Sequence, residues 1–229
     1  MQYLGGKRYI AKKLAPIINE VRAGRYLWEP FCGGLGLTPA LGGFGCASDN
    51  CGALIALYNA VRAGWQPPRV LSRHEYECAK TLSDTEPLKA FAGFGVSFGG
   101  KYFGGYAADR KKQRYAECAS NQLLKDIPAC AGFSFEHCDF LTVEPGAIDA
   151  LIYCDPPYVN TTGYEGKFDH ERFYRRAVQW AAFTDVLISE YVSPIGICIA
   201  EIPRNLGMQS ATKKAGRVER LFFIPKGSV

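Results

Sequence analysis

This chain of 229 residues lacks any long apolar run. No stretch approaches the roughly eighteen consecutive apolar residues that a membrane-spanning helix needs, and the N-terminus has no long apolar segment of the exported kind. A soluble, cytoplasmic protein is expected. A disulfide framework is missing too. The nine cysteines stand singly at Cys32, Cys46, Cys51, Cys78, Cys118, Cys130, Cys138, Cys154 and Cys198. With no C-x-x-C pair among them, they read as small apolar fillers in a reducing compartment, not as zinc ligands. The three histidines, His74, His137 and His170, show neither ligand spacing nor a nucleophile partner and are read as structural. Internal repeats, low-complexity tracts and linkers are absent, which leaves one α/β domain with an insertion as the expected organisation. Neither G-x-G-x-x-G nor G-x-x-x-x-G-K-[ST] occurs, so a dinucleotide fingerprint and a P-loop are both excluded.

What the chain does contain is a stiff corner. Tyr153-Cys154-Asp155-Pro156-Pro157-Tyr158 follows the apolar Ala150-Leu151-Ile152. Consecutive prolines supply no backbone donors and fix their φ angles, so an arriving strand must stop and turn there. Asp155 accepts hydrogen bonds, the Pro156 carbonyl has no ladder partner, and Tyr158 offers an aromatic face. An ordinary Asp-Pro turn begins the same way. The full set suits a planar ring carrying an amino group. The lone pair of such an amine is delocalised into the ring. Two fixed acceptors that hold its protons bend it out of conjugation and stabilise the positive charge that grows as nitrogen attacks an electrophile. Tyr158 would stack on the ring.

Upstream, Arg25 to Trp28 reads as a short buried strand. Glu29 to Gly36 reads as a glycine-rich turn that lets backbone approach a ligand, with a helix over Leu37 to Leu41 after it. A second strand, Phe44 to Ser48, closes at Asp49. That residue lies about twenty positions past Glu29, the separation at which an acidic side chain reaches ribose hydroxyls. Asp49-Asn50 serves equally as a cap for a helix over Gly52 to Val61. Ile10, Leu14, Ile17 and Ile18 mark an amphipathic helix near the N-terminus, and Lys7, with Arg8, Lys12 and Lys13 following, also reads as a solvated first-turn lysine. Further on, Phe133 to Glu136 is expected to be a strand, and His170 to Ala181 a helix with Phe173, Ala177, Trp180 and Ala181 on its apolar face. Strands are expected again at Asp185 to Ser189, Gly196 to Ala200 and Val218 to Ile224.

Three motifs occur in a fixed order: Tyr3-Leu4-Gly5-Gly6-Lys7, Glu29-Pro30-Phe31-Cys32-Gly33-Gly34 and Asp155-Pro156-Pro157-Tyr158. They resemble the aromatic-x-Gly-Gly-Lys, Glu-Pro-Phe-x-Gly-Gly/Ala and Asp-Pro-Pro-Tyr motifs of the DNA adenine methylase family. These are adenine-specific amino-methyltransferases of the alpha arrangement, and the likeness is greatest to compact bacteriophage-encoded forms. It spans most of the chain, and Glu219-Arg220-Leu221-Phe222 is similar to the family's terminal Glu-x-Leu-aromatic strand. The resemblance implies a Rossmann-like S-adenosylmethionine-dependent methyltransferase sheet with helices on both faces. Residues 1–63 and 130–229 would form the catalytic domain and 64–129 an inserted helical and loop target-recognition region.

The resemblance further implies S-adenosyl-L-methionine as methyl donor. Tyr3 and Phe31 would bracket its adenosine and methionine portions, Lys7 would meet the methionine carboxylate, Asp49 the ribose, and Asp139-Phe140 would lie near the adenine. Asp155, shared with the cofactor site, would act with Pro156 and Tyr158 as the catalytic set. DNA is the implied partner, with no obligate protein partner and no membrane, in a bacterial cell or phage-infected host. Gln2 stands where many members have lysine, and Ser189-Glu190-Tyr191 replaces a common Ser-Asn pair; neither change removes a group that methyl transfer requires. Cytosine amines and a glutamine amide pose the same chemical problem. A silent DNA-binding module of the same fold is the alternative outside methyl transfer.

Formal net charge is +5, so placement matters more than total. Arg110-Lys111-Lys112-Gln113-Arg114 is one basic cluster, and Lys213, Lys214, Arg217, Arg220 and Lys226 form another. Either suits phosphates, and either also reads as a solvated helix face, with Asp109 and Glu117 partly neutralising the first. Phe91 to Tyr106 interleaves glycine with Phe94, Phe98, Tyr102, Phe103 and Tyr106 and reads as a shaped loop or irregular hairpin. With Lys101 and Tyr102 as DNA contacts it would support an extruded base or fill the hole left behind. In the other reading these aromatics pack beneath the loop. The polar stretch from Asn160 to Phe168, with Thr161, Thr162 and Tyr164, is a candidate lid.

Overall fold

A computed structural model describes residues 1–109, 114–145, 149–158, 168–203 and 218–228. Its strands are β1 (Tyr26–Glu29), β2 (Gly45–Asp49), β3 (Phe133–His137), β4 (Ala150–Cys154), β5 (Asp185–Glu190), β6 (Ile197–Pro203) and β7 (Val218–Ile224). They form one seven-stranded sheet in the order β3-β2-β1-β4-β5-β7-β6. The first five run parallel, and β7 is antiparallel to both β5 and β6. A central parallel strand is covered on both faces and so reads as a continuous apolar run, not an alternating one. Ala150 to Cys154 has no charged member, and every one of its residues is buried. At the sheet edge, β6 leaves Ile197 and Cys198 exposed.

The helices are α1 (Ala11–Arg22), α2 (Thr38–Leu41), α3 (Gly52–Arg62), α4 (Arg73–Ala79), α5 (Pro87–Ala90), α6 (Tyr115–Ala129) and α7 (His170–Ala181). The pleat of β4 sorts the core into two layers. Leu151 and Tyr153 face a cluster with Leu14 and Ile18 of α1, Leu54 and Tyr58 of α3, and Leu123 and Ile127 of α6. Ile152 and Cys154 face the other way, onto Phe173, Ala177, Trp180 and Ala181 of α7. The apolar stripe expected on α7 is therefore the face it buries, and the Trp180 indole N–H donates to Val143 O at 2.8 Å. The chain is thus an α/β protein with helices on both faces of a mixed sheet, consistent with a Rossmann-like fold. No helix among the described residues is long and apolar enough to cross a membrane.

The inserted region packs on the same core. Phe91, Phe94 and Val96 belong to the cluster that holds α3. Its first helix, α4, begins with a reciprocal cap in which Ser72 Oγ accepts from Glu75 N and Ser72 N donates to the Glu75 carboxylate at 2.7 Å. Beyond α5 come a single π turn, Phe91–Gly95, and a 3-10 turn, Phe98–Gly100, with an isolated bridge between Ser97 and Tyr106. This is the irregular hairpin expected from the interleaved glycines.

The strand order also locates a binding crevice. From β1 the chain steps outward through β2 to β3, then returns to the opposite side of β1 to form β4 and β5. The crossovers leaving β1 and β4 diverge, and in open α/β sheets ligands bind outside the carboxyl ends of such a pair. Trp28 pairs with Ile152, so Glu29 and Asp155 leave the sheet on the same side of that gap.

Candidate active site

A cavity of about 500 Å³ occupies this crevice. Its walls come from Tyr3 to Lys7, Glu29 to Gly34 after β1, Asp49 at the end of β2, Asp155 to Tyr158 after β4, and the rings of Phe140, Phe168 and Tyr191. Segments far apart in sequence that carry the three motifs thus meet in one place. The glycine loop makes the meeting possible. A Cβ on Gly34 would run into Tyr3 Cβ, and one on Gly36 would lie 2.7 Å from the Lys7 backbone nitrogen. These glycines therefore seat the N-terminal segment and also line the cavity, where the sequence reading had them letting backbone approach a ligand. Tyr3 is held between the loop and the insertion, its ring 5.1 Å from that of Phe94.

Lys7 is buried at 3 % exposure, which corrects the solvated-lysine reading. It precedes α1 and turns inward instead of following the charged face. Its Nζ lies 2.8 Å from Asp155 Oδ1 and 3.3 Å from Glu219 Oε1. It also donates to the Tyr158 hydroxyl, which donates in turn to Glu219. Burial lifts the Asp155 carboxyl above the ordinary carboxylate range, Lys7 pulls it back, and Glu219 adds to the rise. At the end of β1, Glu29 accepts from the Thr38 hydroxyl at 2.7 Å. Burial pushes it up to about 8, opposed by the Thr38 hydrogen bond and reinforced by Asp155 and Asp49. Asp49 accepts from Gly33 N and from Cys51 N, each at 2.9 Å, and so ties the glycine loop to the start of α3 while lining the cavity. Its carboxyl is raised by burial against those two bonds.

One wall is aromatic. Phe31 and Phe140 are 5.4 Å apart, and Phe168 stands 5.9 Å and 5.6 Å from them. Asp139 does not line the cavity; its Oδ1 accepts from Leu141 N at 2.9 Å and so starts the 3-10 turn that presents Phe140. The corner is also held from α7, where His170 Nε2 lies 2.7 Å from Pro157 O. A carbonyl only accepts, so this nitrogen carries the proton. Three cavity residues, Phe168, Tyr191 and Glu29, were not read as site residues from sequence, and neither was Glu219 behind Lys7. For Glu219 and Glu29 a signal existed in the motifs that contain them. Phe168 ends the stretch read as a candidate lid, and Tyr191 belongs to the triplet that replaces a common Ser-Asn pair, but neither was assigned a role of its own.

The expected DNA contacts fare unevenly. Lys101 is exposed, but the Tyr102 ring packs 4.6 Å from Phe94 and 4.8 Å from Phe103. Tyr106 donates to Leu71 O at 2.7 Å. Packing beneath the loop is therefore what most of these aromatics do, and Phe98, 67 % exposed, is the exception. Arg220 pairs with Glu201 at 2.7 Å and donates to Tyr191 O, bridging the sheet edge. Arg110, Lys111 and Lys112, the stretch with Thr161, Thr162 and Tyr164, and Lys213, Lys214 and Arg217 lie outside the described residues. Among the described residues no group of three or more His, Cys, Asp or Glu is placed to hold a metal ion.

In comparisons with known proteins, no family model and no curated protein matches this chain. The chemistry of the cavity itself is specific enough to narrow its ligand. Asp49 and Asp155 line it against Lys7 as the facing cation, an excess of acid that favours positive charge, while Glu29 beside them keeps its proton. Its aromatic wall suits a flat ring or a cation lying on a ring face. Tyr191 stands edge-on to Tyr158, 4.6 Å between centroids at 83°, and the two rings border the corner as an aromatic notch.

Proposed function

We propose that this chain transfers a methyl group from S-adenosyl-L-methionine to the exocyclic amino nitrogen of adenine in DNA. The observation that carries the reading is the placement of the Asp155-Pro156 corner across one cavity from the Glu29–Gly34 loop, at the crevice between β1 and β4. An amine held at the corner then faces a donor held at the loop. The order and wording of the three motifs supply the identity of both.

The residues present fit the donor. Its sulfonium and ammonium are cations, and the cavity's acids outnumber its lysine. Asp49 would take the ribose hydroxyls, Phe31 and Phe140 the adenine, and the Tyr3–Lys7 segment would close the remaining side. When bound, the donor supplies an electrophilic methyl group. Everything else is asked of the chain. Asp155 and the Pro156 carbonyl accept the two N–H bonds of the substrate amine, draw its lone pair out of the ring and stabilise the charge that forms on nitrogen. The proline pair holds both acceptors in place before the substrate arrives, so little reorganisation is needed. Tyr158 and Tyr191 border the slot for the base. No general base is required, because the nitrogen becomes acidic once it is cationic and its proton can leave to solvent. In duplex DNA the amine is paired and inaccessible, so the base must be extruded. Phe98 is the exposed aromatic on the turn that Leu4 N joins through Gly100 O at 3.2 Å, and in this reading it would be the side chain that fills the gap.

The test is to incubate the purified protein with unmethylated genomic DNA and S-adenosylmethionine and to map modified bases by single-molecule sequencing. Methyl-adenine is the expected product, and its sequence context reports how selective the short insertion is. Methyl-cytosine would move the assignment to the sibling amine chemistry. Cofactor or DNA binding with no modified base would favour the silent module.

A further inference from the structure

In the structure Asp155 is already engaged. Lys7 Nζ holds Asp155 Oδ1 at 2.8 Å, yet this carboxylate is the acceptor that a substrate amine needs. The same ammonium lies 3.3 Å from Glu219 Oε1, so a shift of a few tenths of an ångström turns that contact into a full charge-assisted hydrogen bond. The two carboxylates are not equivalent. The Asp155 side chain is 18 % exposed toward the cavity, whereas that of Glu219 on β7 is 0 % exposed and sits behind Lys7. We propose that Glu219 is a positioning residue that receives Lys7 when the substrate amine takes its place on Asp155. The inference rests on the methyltransferase reading and adds a residue outside its catalytic corner.

Two features make the transfer feasible. The Tyr158 hydroxyl accepts from Lys7 and donates to Glu219, so it bridges the same two partners and keeps the acceptor oriented while the ammonium moves. Lys7, Asp155 and Glu219 carry one positive and two negative charges when ionised. When Lys7 rests on Glu219, the charge left on Asp155 faces the cavity and is matched by the positive charge that develops on the attacking nitrogen. Without Glu219, withdrawing Lys7 from Asp155 would leave a buried ammonium without a carboxylate, which is costly, so the ion pair would persist and compete with the substrate.

The experiment compares wild type, Glu219→Gln, Lys7→Met and the double variant for methylation of DNA. Binding of S-adenosylhomocysteine is measured in parallel by calorimetry. Glu219→Gln is expected to lower kcat/KM for DNA by about tenfold or more while the dissociation constant for S-adenosylhomocysteine stays within about threefold. Glu219→Asp, which keeps a carboxylate, should recover part of the loss and covers the case in which the glutamine variant does not fold. In the Lys7→Met background the same glutamine substitution should cost nothing further, because there is no ammonium to relocate. An undiminished kcat/KM in Glu219→Gln, or a loss that persists in full without Lys7, would overturn the proposal. A wild-type protein that methylates no base would instead remove the function reading beneath it.

Discussion

A buried carboxyl whose nearest partner is a neutral hydroxyl keeps its proton, and Glu29 beside Thr38 is the clearest case here. Its folded value of about 8 stands above the ordinary 4.5, so the folded chain binds a proton that the unfolded chain has released. The resulting stabilisation is full below about 4.5 and is lost as pH rises through about 8. It amounts to on the order of 4–5 kcal/mol across that window. Asp49 and Asp155 are shifted in the same direction and steepen the trend. Urea unfolding should therefore show the protein less stable at pH 8.5 than at pH 5.5, with Glu29→Gln flattening the difference. An unchanged slope in that variant would mean that another group is responsible. Asp155→Ala addresses chemistry instead of stability. Lys7 keeps Glu219 as its partner in that variant, so the fold should persist by circular dichroism while kcat falls about 10²–10³-fold, the usual cost of removing one charge-stabilising contact. Full activity would end the assignment of Asp155.

At the scale of elements, the close contact between the glycine loop and the N-terminal segment is what assembles the cavity. Gly34→Ala would push a methyl group into Tyr3, so the segment that carries Lys7 must lift. The sheet does not depend on this contact. The expected outcome is at least about tenfold weaker binding of S-adenosylhomocysteine with an unchanged far-ultraviolet spectrum; unchanged binding would separate the loop from cofactor recognition. What could be read in advance at this scale follows from how local each signal is. The end of β4 was legible because prolines stop a strand wherever it goes, and α7 because an amphipathic helix repeats its burial every turn. The short α4 and α5 were not individually legible. The Ser72-x-x-Glu75 cap marks only where α4 starts, and both helices are held by packing of the insertion on α3 and the sheet, which a short window does not reveal. For Lys7 the pattern offered two readings, a site residue and a solvated first-turn lysine, and local periodicity could not choose between them. A periodicity rule sees a charged run with Arg8, Lys12 and Lys13, and only the approach of Asp155 after β4 and of Glu219 on β7, far along the chain, supplies the carboxylates that draw it inward. Asp139 was placed by analogy with a motif position and Tyr102 as one of the aromatics of a glycine-rich loop, but local hydrogen bonding claims the first and ring packing the second.

For the molecule as a whole, a net charge of +5 coexists with a cavity whose acids outnumber its lysine, so the basic residues that give the excess lie elsewhere. The cluster Arg110, Lys111 and Lys112 belongs to the insertion that the function reading turns toward DNA. A cation that neutralises a phosphate releases condensed counterions, and each such contact adds about 0.9 to the slope of log affinity against log salt. If all three residues touch the backbone, replacing them together with alanine should lower that slope by about 2.7. Binding should then weaken by a similar factor on every DNA sequence, since phosphates carry no sequence information. The rate at saturating DNA should hardly change, because none of the three is part of the corner or the donor cavity as proposed. Titration of wild type and triple variant from low to high salt by fluorescence anisotropy decides the matter. A slope that does not move would assign the cluster to a solvated face and leave the DNA-facing surface to be sought around Lys101 and Phe98, both of which are exposed on the described insertion.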